Sequence, residues 1–174
     1  MAGGKDPPLV LWDVEKRAPI RRFEAPSREV TAVAFAPQGT GIAAATIEDH
    51  AIRLFRVSDR QPMKVLQGHR DRVRRIVFLS DGKRVLSASD DRTLRLWDLP
   101  KGSQLREIRA HRGTISSLDV TTDDQFALSA RWDGLCWIWD LGTGEHVCYF
   151  GFRQPIEAAA FLQGNRFVRL LTSD

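Results

Sequence analysis

Histidine, serine and aspartate recur at fixed spacing in two parts of this 174-residue sequence. The two sets, displaced by 42 residues, are His69, Ser87 and Asp91, and His111, Ser129 and Asp133. These residue types could form a nucleophilic triad, so a hydrolase is one interpretation. A metal site is weaker, because each set offers only one imidazole and one carboxylate. Since residues that recur once per repeat are structural, we predict a protein that is not an enzyme and that needs no metal or other cofactor.

The two sets belong to a longer repeat. An aromatic column contains Trp12, Phe55, Trp97 and Trp139, at spacings of 43, 42 and 42 residues. An acidic column lies six residues before it and contains Asp6, Asp49, Asp91 and Asp133. The chain therefore consists of four units of about 42 residues, and each unit must form one supersecondary element.

Short apolar segments separated by turns fill each unit. VTAVAF, VRRIVF, TISSLDV and IEAAAF are each followed by a turn segment, which reads APQG, LSDG, TTDD or LQGN. Strands of five to seven residues at such intervals indicate an all-β protein. No stretch keeps an apolar period of 3.6 residues long enough for a helix.

Paired Gly-His or Ala-His and Trp-Asp dipeptides recur in the middle of the chain. They are Gly68-His69 with Trp97-Asp98, and Ala110-His111 with Trp139-Asp140. With the histidine, serine, acidic and aromatic positions of the repeat, they resemble the WD-repeat family, whose fold is a β-propeller of four-stranded antiparallel blades. The resemblance implies one propeller unit over residues 1–174, with blades at about 28–66, 70–109 and 112–150.

The family resemblance implies a structural tetrad in each of two blades. The tetrads are His69, Ser87, Asp91 and Trp97, and His111, Ser129, Asp133 and Trp139. A buried imidazole and a buried indole N–H need polar partners, which the hydroxyl and the carboxylate can supply. The first and the last of the four repeat units lack some of these residue types, so we expect apolar packing to replace the polar network in those two units. Trp137 is either additional packing or a surface contact.

Loops before the innermost and third strands form one rim of the propeller in this family. The candidate partner-binding residues on these loops are Arg28, Arg70, Arg72, Arg92, Arg112, Arg131, Trp132 and Arg153. Arginine and tryptophan are enriched at binding hot spots, so we expect a non-enzymatic scaffold that binds a protein or an acidic peptide. Alternatively the arginines are solvated and partly paired with Glu29, Asp71 and Asp90.

Charge and cysteine content limit the kinds of partner and the cell compartment that we expect. Lys and Arg number 26 against 22 Asp and Glu, and the net charge of +4 permits a nucleic-acid partner without demanding one. Arg70, Arg72, Arg74 and Arg75 lack interleaved aromatic residues, so nucleic acid is disfavoured. Pro37, Gly39 and Gly41 interrupt the longest uncharged stretch, so no membrane span is expected. Cys136 and Cys148 fit a reducing cytoplasm, although a cross-strand disulfide is possible.

The two ends of the sequence share one phase of the repeat, because Asp6 and Asp174 fall in the same column. Residues 8–24 would then supply the third and fourth strands of a blade, and residues 156–173 the first and second. A four-bladed ring, a piece of a longer propeller and an eight-bladed homodimer are all possible. Since the family typically builds rings of seven or eight blades, we expect the homodimer, which closes with two-fold symmetry.

Overall fold

The computed structural model describes residues 9–24, 29–111, 113–162, 165 and 167–173. Within these ranges the chain forms short β-strands joined by tight turns. The strands are β1 (Leu9–Asp13), β2 (Ala18–Phe23), β3 (Val30–Phe35), β4 (Gly41–Thr46), β5 (Ile52–Arg56), β6 (Lys64–Leu66), β7 (Val73–Phe78), β8 (Arg84–Ser89), β9 (Thr93–Asp98), β10 (Ser103–Arg109), β11 (Ile115–Val120), β12 (Phe126–Arg131), β13 (Leu135–Asp140), β14 (His146–Gly151), β15 (Ile156–Phe161) and β16 (Val168–Thr172). The described ranges contain no helix of the length and apolarity needed to cross a membrane.

Three four-stranded antiparallel sheets form the body of the molecule. Blade 1 is β3–β6, blade 2 is β7–β10 and blade 3 is β11–β14, each paired in chain order. They occupy residues 30–66, 73–109 and 115–151. The all-β prediction and the four-stranded antiparallel blades are confirmed.

The second strand of each blade is buried on both faces. Residues 42–46 of β4 and 85–89 of β8 are all buried. A strand with another blade on each side cannot alternate apolar and polar residues, so it reads as a continuous run of apolar or small residues. The sequences GIAAAT and RVLSAS have this character.

Neighbouring blades share apolar cores. On one face of blade 2, Leu94 and Leu96 pack with Leu118 of blade 3, whereas Trp97 packs on the other face with residues of blade 1. This is the alternation expected from the sequence of β9. The innermost strands β3, β7, β11 and β15 contact one another in succession, so the blades follow one another in chain order.

Turns on the side away from the candidate rim connect blade 2 to blade 3. The Asp124 carboxylate accepts hydrogen bonds from the backbone N–H and the hydroxyl of Ser80, at 2.9 and 2.8 Å. One repeat further on, the side-chain oxygen of Asn165 accepts from the backbone N–H of Thr122 at 3.1 Å. Asp124 and Asn165 have φ angles of 59° and 58°, a left-handed conformation that Asp and Asn tolerate.

The remaining four strands form two half-blades. β1 pairs with β2, and β15 pairs with β16, in two separate two-stranded sheets. The first half-blade packs on blade 1 through Leu9 and Phe23, and the second on blade 3 through Ile156 and Ala159. Among the described strands the two half-blades do not pair with each other.

Candidate functional site

The structure brings together His69, Ser87, Asp91 and Trp97 in blade 2. His69 Nδ1 lies 2.8 Å from Asp91 Oδ2, and His69 Nε2 lies 2.7 Å from Ser87 Oγ. The Trp97 indole N–H donates to the same hydroxyl at 2.9 Å. The network links the segment before β7 to strands β8 and β9, so it holds the innermost part of the blade to its centre.

Burial decides between a structural and a catalytic role for this set. Ser87 has no exposed surface, and His69 is only 7% exposed. A nucleophile must reach a substrate carbonyl, which the Ser87 hydroxyl cannot do from this position. Burial by itself raises the pKa of Asp91, but hydrogen bonds from His69 and Thr93 outweigh it and leave the pKa below its usual value. The network is thus a satisfied buried cluster.

The second set is joined through three of its four residues. His111 Nε2 lies 2.6 Å from Ser129 Oγ, and the Trp139 indole donates to that oxygen at 2.8 Å. Asp133 does not accept a hydrogen bond from His111 Nδ1 and instead forms an ion pair with Arg131. The inclusion of Asp133 in a complete tetrad is therefore corrected.

Two neighbouring positions explain why Asp133 lies outside the network. In blade 2, the hydroxyl of Thr93 donates to Asp91 Oδ1 at 2.7 Å, and Ser89 Oγ accepts from the Asp91 backbone N–H at 3.1 Å. In blade 3 the equivalent residues are Leu135, which has no hydroxyl, and Arg131, whose guanidinium binds the carboxylate. The replacement of Ser by Arg turns the acid away from the imidazole.

Blade 1 has a different polar cluster in place of the tetrad. Arg53, 8% exposed, binds Asp49 and also donates to Thr46 Oγ1 at 3.0 Å. The hydrogen bond from Arg53 is the main cause that lowers the pKa of Asp49 to about 2. The expected apolar replacement is therefore wrong for this blade, because Arg53 on the third strand supplies the donors that the missing histidine would have given.

Trp137 takes the position of Arg53 and Arg95 in the third strand of blade 3. Its ring stacks on Trp139, with centroids 5.5 Å apart and an interplanar angle of 14°, and on Tyr149 at 5.1 Å and 26°. Such offset pairs add to the stability that burial provides. Of the two alternatives for Trp137, the structure has the packing role, with Tyr149 at the exposed end of the stack.

Both cysteines are free thiols. In the pairing of β13 with β14, Cys136 lies opposite Phe150 and Cys148 lies opposite Ile138. The possible cross-strand disulfide is therefore absent. Burial raises the pKa of the Cys136 thiol to about 11, which keeps this group protonated and unreactive.

The candidate rim contains both exposed and paired residues. Arg70, Arg92, Trp132 and Arg153 are exposed, and Trp132 exposes 49% of its surface. Arg72 binds Glu29 at 3.0 Å, and Arg131 binds Asp133. Arg28 and Arg112 lie outside the described residues. Arg72 thus has the Glu29 partner that the alternative named, Arg131 pairs with Asp133 instead, and the exposed arginines fit either interpretation.

The repeat agrees with a known family model. Residues 17–56, 60–98 and 102–140 each match the model described as "WD domain, G-beta repeat", and together they cover more than half of the chain. The chain belongs to the WD-repeat family. Pre-mRNA-processing factor 19 of Caenorhabditis elegans is 30% identical to this WD-repeat chain over 91 residues, which are 52% of this chain and 18% of that protein. The chain therefore matches less than a fifth of the length of that relative.

Proposed function

We propose that this WD-repeat chain is a non-enzymatic scaffold that binds an acidic protein surface through its rim loops. The observation that supports this most directly is Trp132, a half-exposed indole between the paired residues Arg131 and Asp133. An exposed Trp held on a rigid loop loses little conformational entropy on binding, which is the property of a hot spot. The exposed guanidinium groups of Arg70 and Arg153 favour carboxylate or phosphate groups on the partner.

A binding titration with a fluorescent polyglutamate peptide tests the rim. We expect the double substitution Trp132→Ala and Arg153→Gln to weaken binding at least tenfold, with the melting temperature unchanged because both side chains are exposed. The matched control is Leu105→Ala, since Leu105 is 47% exposed on β10, outside the rim loops. Equal affinities of the double variant and the control would contradict the rim proposal.

We further propose that a second copy of the chain completes the split blade. Exposed apolar residues cluster where blade strands are missing. Trp12 on β1 is 54% exposed, whereas Trp97 at the same repeat position is 2% exposed. Val33 on β3 is 50% exposed, whereas its counterpart Ile76 is 7% exposed. Pairing of β1 from one copy with β16 of another would cover these surfaces and both open strand edges.

The strand register of blade 2 predicts which residues of β1 and β16 would lie opposite each other in the completed blade. Ser87 of β8 pairs with Arg95 of β9, and their repeat counterparts are Leu170 on β16 and Val10 on β1. Replacement of both Val10 and Leu170 by cysteine should give a disulfide-linked dimer under oxidation, and light scattering of the unaltered chain should give twice the chain mass. Val10→Cys combined with Val147→Cys is the control, because Val147 lies on the outer strand β14. A strict monomer would overturn the closure proposal.

A further inference from the structure

The outermost strands of the described sheets differ in how their open edges are protected. An edge with unpaired N–H and C=O groups favours pairing with another strand, whereas short length, proline and charged side chains oppose it. β6 has only three residues, and β2 contains Pro19 and Arg21. β10 contains Glu107 and Arg109. By contrast β14 has six residues, HVCYFG, without proline and without Lys, Arg, Asp or Glu, so its edge is the least protected of the four.

The edge of β14 exposes apolar surface and backbone hydrogen-bonding groups. Tyr149 is 63% exposed and Val147 is 55% exposed. Just beyond the strand, the Phe152 N–H donates to the Gly134 carbonyl oxygen at 2.9 Å. Because backbone groups alternate in direction along an antiparallel strand, those of Phe150 face β13, whereas the N–H and C=O of Tyr149 point away from the sheet. The centre of the edge therefore offers one donor and one acceptor to an additional strand.

Opposite charges flank this edge at equal distances from its centre. Glu145 lies four residues before Tyr149, and Arg153 lies four residues after it. Both side chains are exposed, and within the described part of the chain neither forms an ion pair. An antiparallel strand that complements the edge must therefore present a basic residue to Glu145 and an acidic residue to Arg153. Residues 145–153 themselves meet this requirement when they run in the opposite direction.

We propose that β14 pairs with β14 of a second copy of the chain, in antiparallel orientation and with the two Tyr149 residues opposite each other. In this register Glu145 of each copy faces Arg153 of the other. Aromatic pairs and opposite charges on facing strands stabilise a sheet. The contact has two-fold symmetry, so the charge pair occurs twice. The two copies of blade 3 would then form one continuous sheet.

This contact is separate from completion of the split blade, which uses β1 and β16. One strand per copy buries less surface than a half-blade does, so we expect the β14 contact to form only at higher protein concentrations than those at which closure is measured. An outer strand remains accessible in a closed ring, and the two contacts are therefore compatible.

Light scattering over a range of concentrations, under reducing conditions, tests the β14 contact in the chain carrying Trp12→Arg. This substitution opposes closure, so the mass should rise with concentration from that of one chain to that of two. We expect Tyr149→Lys to weaken this dimer about tenfold, because it places a charge at the centre of the edge. Leu105→Lys is the matched control, since Leu105 is 47% exposed on the outer strand β10 and gains the same charge.

Charge reversal tests the register. Tyr149→Lys also removes the stack on Trp137, whereas Glu145 and Arg153 are exposed and can be replaced with the melting temperature unchanged. Glu145→Lys should weaken the dimer about tenfold, because like charges then face each other at both ends. Addition of Arg153→Glu to Glu145→Lys should restore the original affinity, since both members of the pair are reversed.

Each of three results would overturn the proposal. A mass that stays at one chain at every concentration would mean that no second copy covers β14, and would leave a strand of another protein as the occupant. Equal affinities of the Tyr149→Lys and Leu105→Lys variants would mean that the edge of β14 is not the contact. Failure of Arg153→Glu to restore dimerisation would exclude the register. If closure itself fails, Trp12→Arg changes nothing and these outcomes keep their meaning.

Discussion

At the residue scale, the two histidines of the repeat have different environments although their columns are identical. His69 has a hydrogen-bond partner at each ring nitrogen, whereas His111 has one at Nε2 among the described residues. Burial is the main cause that lowers the pKa of His111 to about 4, and the charge of Arg131 lowers it further while Asp133 opposes the change. Protonation of His111 is therefore less favourable in the folded state than in the unfolded chain.

This difference predicts acid sensitivity. Because the unfolded chain binds a proton at His111 near pH 6.5 and the folded chain only near pH 4, the free energy of unfolding should fall between these values. The contribution is about 3 kcal/mol, complete above pH 6.5 and lost by pH 4. Denaturant titrations at several pH values measure it.

His111→Leu is expected to reduce the pH slope while also lowering the stability at pH 7, because the buried Ser129 hydroxyl loses its hydrogen bond with the imidazole. The control is His146→Gln, which alters an exposed histidine and should retain the slope of the unaltered chain. A slope that His111→Leu leaves unchanged would show that His111 is not the titrating group.

At the element scale, the turn between the second and third strands of each blade needs a left-handed residue. His50, Arg92 and Gly134 occupy this position, with φ angles of 55°, 71° and 89°. A side chain is accommodated in blades 1 and 2. In blade 3 a Cβ on Gly134 would collide with the carbonyl oxygen of Phe152 and would lie 2.8 Å from that of Gln154. The loop that enters the C-terminal half-blade therefore packs directly on this glycine.

Gly134→Ala should destabilise the chain by more than backbone strain alone. We expect a loss of about 3 kcal/mol, because the two contacting atoms belong to the backbone and cannot rotate away. Gly39→Ala isolates the strain, since Gly39 has a φ of 68° and open space around it. That variant should lose only about 1 kcal/mol. Equal losses in thermal or denaturant unfolding would contradict the packing role.

The strand pattern and the buried network of blade 2 could be predicted from the sequence, whereas the blade-specific contacts could not. Recurring columns identify His69, Ser87 and Trp97, because the same residue types return at the same spacing in the next unit of the repeat. Asp133 keeps the acidic position of the repeat, but two neighbouring residues differ from those of blade 2. The presence of Leu135 where blade 2 has Thr93 is visible in the sequence and indicates the loss of a hydroxyl donor.

At the scale of the whole molecule, completion of the split blade would make stability depend on protein concentration. A partner that binds only the folded chain stabilises it by mass action. We therefore expect the melting temperature of the unaltered chain to rise with concentration. Trp12→Arg should abolish this dependence, since it places a charge on the apolar face that the second copy would cover. A melting temperature independent of concentration in the unaltered chain would contradict closure.

The three complete blades use different side chains to hold their strands together. Blade 2 has a histidine network and blade 1 an arginine–aspartate cluster. Blade 3 keeps three residues of the histidine network and adds stacked rings on its third and fourth strands. Each of these lies within one blade, whereas the apolar cores lie between blades. Substitutions in one blade can therefore replace one type of contact by another without compensating substitutions in the neighbouring blades. The sequence differences among the repeats of this chain are then local substitutions within blades that keep the same fold.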